Sequence, residues 1–155
     1  MAKKRRKQPS VDAIAMLKAD HQKVRDLFQA YEAASNPRAK RELAEEACTA
    51  LEIHTQLEEQ VFYPAVNEET NNGPELVKES FAEHQTVKNL MQKLRNMASD
   101  TDEFDAMFQE LIRHVEHHVE EEESEMFPLA EVELADDMKE LTEEMQELKQ
   151  AIMAS

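Results

Sequence analysis

The sequence predicts an all-α protein, an up-down four-helix bundle with a basic N-terminal tail and an additional C-terminal helix. Three observations carry this. Glycine occurs once in 155 residues, at Gly73. That is too few for a Gly-rich phosphate loop, a set of β-hairpins or a Rossmann crossover, all of which need glycines at tight turns. Apolar residues recur at helical spacing in four stretches of roughly 25 residues, separated by short turn signals. The length suits one domain, and 41% hydrophobic residues are enough for one core.

The elements follow in order. Residues 1–10 are predicted to be a disordered tail, in which Lys3, Lys4, Arg5, Arg6 and Lys7 adjoin with no acid among them. A solubilising role fits it best; a nuclear signal, a nucleic-acid arm and a membrane-surface tether are the other readings. No aromatic residue interrupts the run, so base stacking has no support. The first helix is expected to start after Ser10, a good N-cap residue. Its stripe is Ile14, Leu17, Val24, Phe28 and Tyr31, with His21 on the same line. Ser35-Asn36-Pro37 ends it. The second helix is predicted from Arg38 to Tyr63, with Leu43, Ala47, Ala50, Leu57 and Val61 near one face and Pro64 disturbing its end. Asn71-Asn72-Gly73-Pro74 reads as a loop. The third helix sets Leu76, Ser80, Val87, Met91 and Leu94 around His84. After Ser99-Asp100-Thr101-Asp102, the fourth carries Phe104, Phe108, Leu111, Val115 and Met126, and stops before Pro128.

The predicted bundle spans residues 11–130. Residues 131–155 form a further amphipathic helix, in which Leu134, Met138, Leu141, Met145, Leu148 and Ile152 follow a 4-3-4-3-4 spacing. This is a heptad seam. It can dock back along the bundle or pair with a second copy in a homodimer.

Charge and cysteine usage narrow the partners. Thirty-four acidic against 18 basic residues leave −16. A body this acidic repels nucleic acid and anionic membrane surfaces and attracts cations. No nucleic-acid partner is therefore expected. No apolar run approaches the ~18–20 residues needed to span a bilayer, so no membrane insertion is expected either. Cys48 is the only cysteine, and no apolar signal core follows the basic start. Both point to the cytoplasm.

The chain repeats itself. Asp20-His21-x-x-Val24, His54-x-x-x-Glu58 and Pro64 recur as Glu83-His84-x-x-Val87, His118-x-x-x-Glu122 and Pro128. Positions i and i+4 of an α-helix lie about 40° apart, so each His-x-x-x-Glu pair points one way. On the fourth helix, that way is along the apolar stripe, into the core. An ionised carboxylate there costs several kcal/mol unless paired, and no Lys or Arg lies on the inner stripes near Glu58 or Glu122. A pair of divalent metal ions resolves the conflict. The two carboxylates would bridge them, and His21, His54, His84 and His118 would cap them. Iron, manganese and zinc all suit this donor set.

Other polar residues read as less central. His114 lies at the edge of the stripe and reads as a mouth residue or a fifth imidazole. His117 faces solvent, paired with Glu121 on the surface. Glu120 to Glu123 and Glu125 read as a solvated face. Asp20 and Glu83 can sit behind the ligand histidines or be exposed acids. Tyr31 and Tyr63 read as helix-end packing, with a hydrogen bond to the site as the alternative.

The pattern resembles the hemerythrin-like, or HHE cation-binding, family. Asp20-His21, His54-Thr55-Gln56-Leu57-Glu58-Glu59-Gln60-Val61-Phe62-Tyr63-Pro64, Glu83-His84 and the segment from His117 to Pro128 carry the resemblance. It implies a four-helix bundle with a non-haem di-iron centre. His21, His54, His84 and His118 would be terminal imidazoles, and Glu58 and Glu122 bridging carboxylates. The oxygen carriers of that family have a fifth histidine where Lys88 stands, and an Asp at a different spacing on the fourth helix. The resemblance is therefore to the broader group. It implies exchangeable ligands such as oxygen, peroxide or nitric oxide. The leading expectation is a protein that binds or senses one of these, or iron itself. A catalase- or peroxidase-like redox enzyme and a metal-free interaction bundle are the alternatives.

Overall fold

The computed structural model describes residues 11–98 and 101–155. The basic tail, the predicted Ser10 cap and the Ser99-Asp100 turn lie outside the described residues. Helix α1 (Ala13–Ala33) is capped by Asp12, whose carboxylate accepts the Ala15 N–H at 2.9 Å. Asn36 caps α2 (Pro37–Leu57), with proline in its first turn, where the missing N–H costs nothing. After α3 (Tyr63–Glu69) come α4 (Gly73–Arg95) and α5 (Asp102–Glu121), the latter capped by the Thr101 hydroxyl. Then come α6 (Phe127–Glu133), a short 3-10 turn (Ala135–Asp137) and α7 (Met138–Ala154). The long helices α1, α2, α4 and α5 form the predicted bundle. Among the described residues no helix is long and apolar enough to cross a membrane.

One feature corrects the expected elements. Neither predicted helix stops at its proline. Between α2 and α3 the chain widens into a π-turn, Glu58–Phe62, and between α5 and α6 into a second, Glu122–Met126. A proline inside an α-helix lacks its N–H and clashes with the carbonyl four residues back. The wider turn makes room. The Tyr63 and Phe127 N–H groups instead reach the carbonyls of Glu58 and Glu122, five residues back. The same rewinding leaves Val61 half-buried and puts Phe62 fully inside, where regular spacing favoured Val61.

The C-terminal seam takes the first of its two expected courses and docks on the bundle. Leu141 and Met145 are buried within the chain's own core, and Met138, Leu148 and Ile152 pack beside them. A homodimer through α7 would therefore have to use its outer face, around the exposed Met153.

The core has two apolar clusters. One contains Phe28, Tyr31, Leu51, Phe104 and Phe108; the other contains Ile14, Leu17, Leu57, Phe62, Phe127 and Met145. His21, His54, His84 and His118 lie in sequence between members of the two, as a polar layer closed by oil above and below. Gly73 is demanded by space. A Cβ there would run into the Thr70 hydroxyl and the Val66 carbonyl of the preceding turn. Gly73→Ala is expected to lower stability by about 3 kcal/mol and the melting temperature by about 6–12 °C, read by circular dichroism.

Candidate metal centre

The six predicted residues converge. His21, His54, His84 and His118 come from α1, α2, α4 and α5, and Glu58 and Glu122 open the two π-turns; all six are buried. Their donor atoms fall into two groups, His21-His54-Glu58-Glu122 and Glu58-His84-His118, each spanning no more than 4.8 Å. Glu58 belongs to both. Its Oε1 lies 3.3 Å from His54 Nε2 and 3.0 Å from His84 Nε2. Glu122 spans the same gap, with Oε1 3.1 Å from His21 Nε2 and Oε2 3.6 Å from His118 Nε2.

The imidazoles are oriented from behind. Each Nδ1 donates to a carboxylate: His21 to Glu123 at 2.7 Å, His54 to Asp20 at 3.0 Å, His84 to Glu59 at 2.7 Å and His118 to Glu83 at 2.6 Å. An ionised carboxylate only accepts, so each Nδ1 carries the proton and each Nε2 turns to the centre. The arrangement follows the repeat. Asp20 and Glu83, each preceding a histidine, hold the imidazole of the next long helix. Glu59 and Glu123, following Glu58 and Glu122, hold the imidazoles of α4 and α1. The spacing argument allowed Asp20 and Glu83 this role. It missed Glu59 and placed Glu123 on a solvated face. The available signal was the repeat itself, which sets an acid after each inward glutamate.

Tyr63 is the main addition. Its hydroxyl donates to Glu122 Oε2 at 2.6 Å and lies 3.1 Å from Glu58 Oε1. The His84 and His118 Nε2 atoms are 3.2 and 3.3 Å away. On an α-helix the fifth residue after Glu58 would point about 140° away. The i to i+5 hydrogen bond of the π-turn brings it back above Glu58. In the second copy of the repeat this position is Phe127, whose ring stacks on His21 at 5.6 Å. At this position the two halves of the site differ by one hydroxyl. Tyr31, the other tyrosine, donates to Asp105 at 3.0 Å and takes no part.

The electrostatics are unbalanced for protein groups alone. Among the described residues the ion-pair partners of Glu58 and Glu122 are imidazoles, with no Lys or Arg. Glu58 Oε2 and Glu122 Oε1 are buried with no hydrogen-bond partner; the imidazole near Glu122 Oε1 is close but poorly aimed. Burial opposes the charged form of His54, but Glu58 and the bond to Asp20 outweigh it and hold the group up at about 10. His118, with burial again opposed by Glu58 and Glu83, is held up at about 11. Burial would raise the Glu58 carboxyl, yet the surrounding imidazoles hold it well below the usual carboxylate range. Glu122 is pushed up by burial and by the like charge of Glu58. Burial and both glutamates push the Tyr63 phenol well up, so it keeps its proton. Paired Nε2 atoms stand 3.1 Å apart in His21-His54 and 3.2 Å apart in His84-His118. Each pair has room for one shared proton or one cation. Imidazole and carboxylate with unpartnered oxygens fit divalent cations.

Beside the imidazoles lies a cavity of about 20 Å³, walled by Val24, Leu51, Val87, Val115, Val119 and Thr55. About 10–15 Å³ admits one water-sized molecule, so the space suits a diatomic. The remaining histidines stay outside. His114 pairs loosely with Glu110, and His117 is 67% exposed beside Glu121, as expected for a surface pair.

Comparisons with known proteins bear on the family and the fold. The family model of the Hemerythrin HHE cation binding domain matches residues 12–130, and again 81–154. A DNA nickase of Nostoc sp. is 28% identical over 112 residues, 72% of this chain and 31% of that protein. An uncharacterized hemerythrin-like protein of Schizosaccharomyces pombe is 26% identical over 119 residues, 76% of this chain and 59% of that one. The chain thus spans less than two thirds of either relative. A crystal structure of a hemerythrin HHE cation-binding domain-containing protein from Mycobacterium kansasii superposes with a TM-score of 0.73 at 22% identity. It covers 93% of this chain and 91% of its own, which bears out the fold.

Proposed function

The chain belongs to the hemerythrin HHE cation-binding family, and from that premise we propose that it holds two iron ions and binds or senses a small ligand: oxygen, nitric oxide, peroxide or iron itself. One observation carries the reading. Six buried donors on four helices face one centre, with the Nδ1 of every imidazole held from behind. When bound, such a pair supplies one-electron redox chemistry and exchangeable coordination positions. Glu58 and Glu122 set the spacing of the pair, because each reaches both groups. His21 and His54 would hold one ion, and His84 and His118 the other, with the Tyr63 hydroxyl donating a hydrogen bond to Glu122 beside the second group. The valine-lined cavity keeps bulk water from the imidazoles and favours a neutral diatomic over a charged ligand. Manganese and zinc suit the same donors.

Elemental analysis with a visible spectrum before and after air tests the reading. Two irons per chain and a spectrum that changes with air support it; no bound metal supports the interaction bundle instead. A redox enzyme of catalase or peroxidase type is the second reading, and Tyr63 favours it. Its hydroxyl stands within hydrogen-bond reach of both carboxylates, a hydrogen-bond donor that spacing alone did not supply. Peroxide turnover by the iron-loaded protein, reduced at least tenfold in Tyr63→Phe with both irons kept, would select that reading.

The nickase's name weighs weakly against the expectation that nucleic acid is no partner, since the chain covers 31% of that protein. A chain of −16 opposes a phosphate backbone. A mobility shift with duplex DNA at low salt reads the difference.

A further inference from the structure

Helix α7 lies outside the repeat, yet it reaches a carboxylate that holds one of the imidazoles. It runs parallel to α1 in a register set by two polar contacts one heptad apart. The Ala13 N–H donates to the Thr142 hydroxyl at 2.8 Å, and Lys149 Nζ lies 3.5 Å from Asp20 Oδ1. Both contacts join residues 129 positions apart. Beside them, Leu141 and Met145 pack into the cluster that holds Leu57, Phe62 and Tyr63, which end and flank the π-turn that carries Glu58. Asp20 is the carboxylate whose other oxygen holds His54 Nδ1.

The other three outer carboxylates are braced from within the bundle. Lys88 of α4 donates to Glu59 at 2.9 Å, Arg25 of α1 lies 3.8 Å from Glu123, and Glu83 faces His117. Among the described residues only Asp20 is braced from α7. Lys88 stands behind His84, through Glu59, as Lys149 stands behind His54, through Asp20.

We propose that Lys149 is a positioning residue which, through Asp20, sets the His54 imidazole, so that docking of α7 and binding of a cation at the His21-His54 group favour one another. The inference rests on the two-cation reading above. Groups that support a metal-bound imidazole change affinity by about 10–100-fold when removed. Lys149 acts one step further out and across a longer contact, so the low end, about tenfold, is expected. Linkage requires the same factor in reverse, since a cation that prefers the docked helix must also stabilise its docking.

The experiment uses the full chain and two probes, Co²⁺ for affinity and Zn²⁺ for hydrogen exchange. Lys149→Met is expected to weaken one of two bound Co²⁺ ions about tenfold, leaving the other unchanged, while Lys149→Arg restores it. Lys88→Met is expected to weaken the other ion instead. Zn²⁺ is expected to slow exchange of the α7 amides about tenfold more in the wild-type chain than in Lys149→Met. Wild-type and Lys149→Met chains that each bind two ions with the same affinities, or α7 exchange indifferent to Zn²⁺, would overturn the coupling alone. A wild-type chain that takes up no Co²⁺ overturns the two-cation reading and the coupling with it.

Discussion

Glu58→Ala is expected to abolish loading of two cations per chain, with affinity for the pair falling about 100-fold or more, beyond what removing an outer partner does. The reason is that Glu58 serves both groups through a single oxygen, 3.3 Å from His54 Nε2 and 3.0 Å from His84 Nε2. Removing it strips one donor from each half and leaves Glu122 as the only carboxylate spanning them. Glu58→Gln separates charge from shape, because it keeps the volume and one acceptor oxygen. The same loss in Gln and Ala assigns the effect to charge. Metal content after desalting, with a thermal melt to show that the variant is folded, is the measurement. Two cations retained in Glu58→Ala would remove Glu58 from the centre.

Cation binding is expected to raise the melting temperature by about 10–20 °C. A ligand at 100-fold over its dissociation constant stabilises the folded chain by about 2.7 kcal/mol, so two give roughly 5. For a chain of this length each kcal/mol moves the midpoint by about 2–4 °C. The gain has a local origin. As protein groups alone, Glu58 and Glu122 are fully buried like charges, each with an oxygen lacking a hydrogen-bond partner. The centre is therefore where binding relieves the most unfavourable electrostatics in the core. Melts with and without added Zn²⁺ or Fe²⁺, the latter without air, check this. An unchanged midpoint at saturating metal would count against a built centre and in favour of an interaction bundle.

Much of the site was legible because helical spacing sets direction. Along a regular helix, residues three and four apart share a face. That rule alone places His54 with Leu57, and Val115 with His118, and turns all four imidazoles inward. It also separates His118 from the exposed His117 one residue before it. The repeat then doubled every inference, since a motif seen once and seen again at matching intervals is hard to assign to the surface.

The rule failed where the helix is not regular. The π-turns at Glu58 and Glu122 rewind the face, so Tyr63 enters the site and Val61 moves to the rim of the core. Proline marked each place but read as an end. The outer carboxylates were hidden for a different reason. Glu59 and Glu123 point away from their own helix's stripe, so their role depends on which helix stands next to them.

The amino-acid sequence by itself determined the helices, their inward faces and the six donors, because backbone hydrogen bonding and the 3.6-residue turn make side-chain direction a local property. Only the tertiary structure decided what those faces meet: which acid holds which imidazole, that one tyrosine breaks the symmetry of the two halves, and that α7 closes on its own bundle. Those outcomes depend on distances between residues far apart in the chain, as Asp20 and Lys149 are, and no local rule sets them.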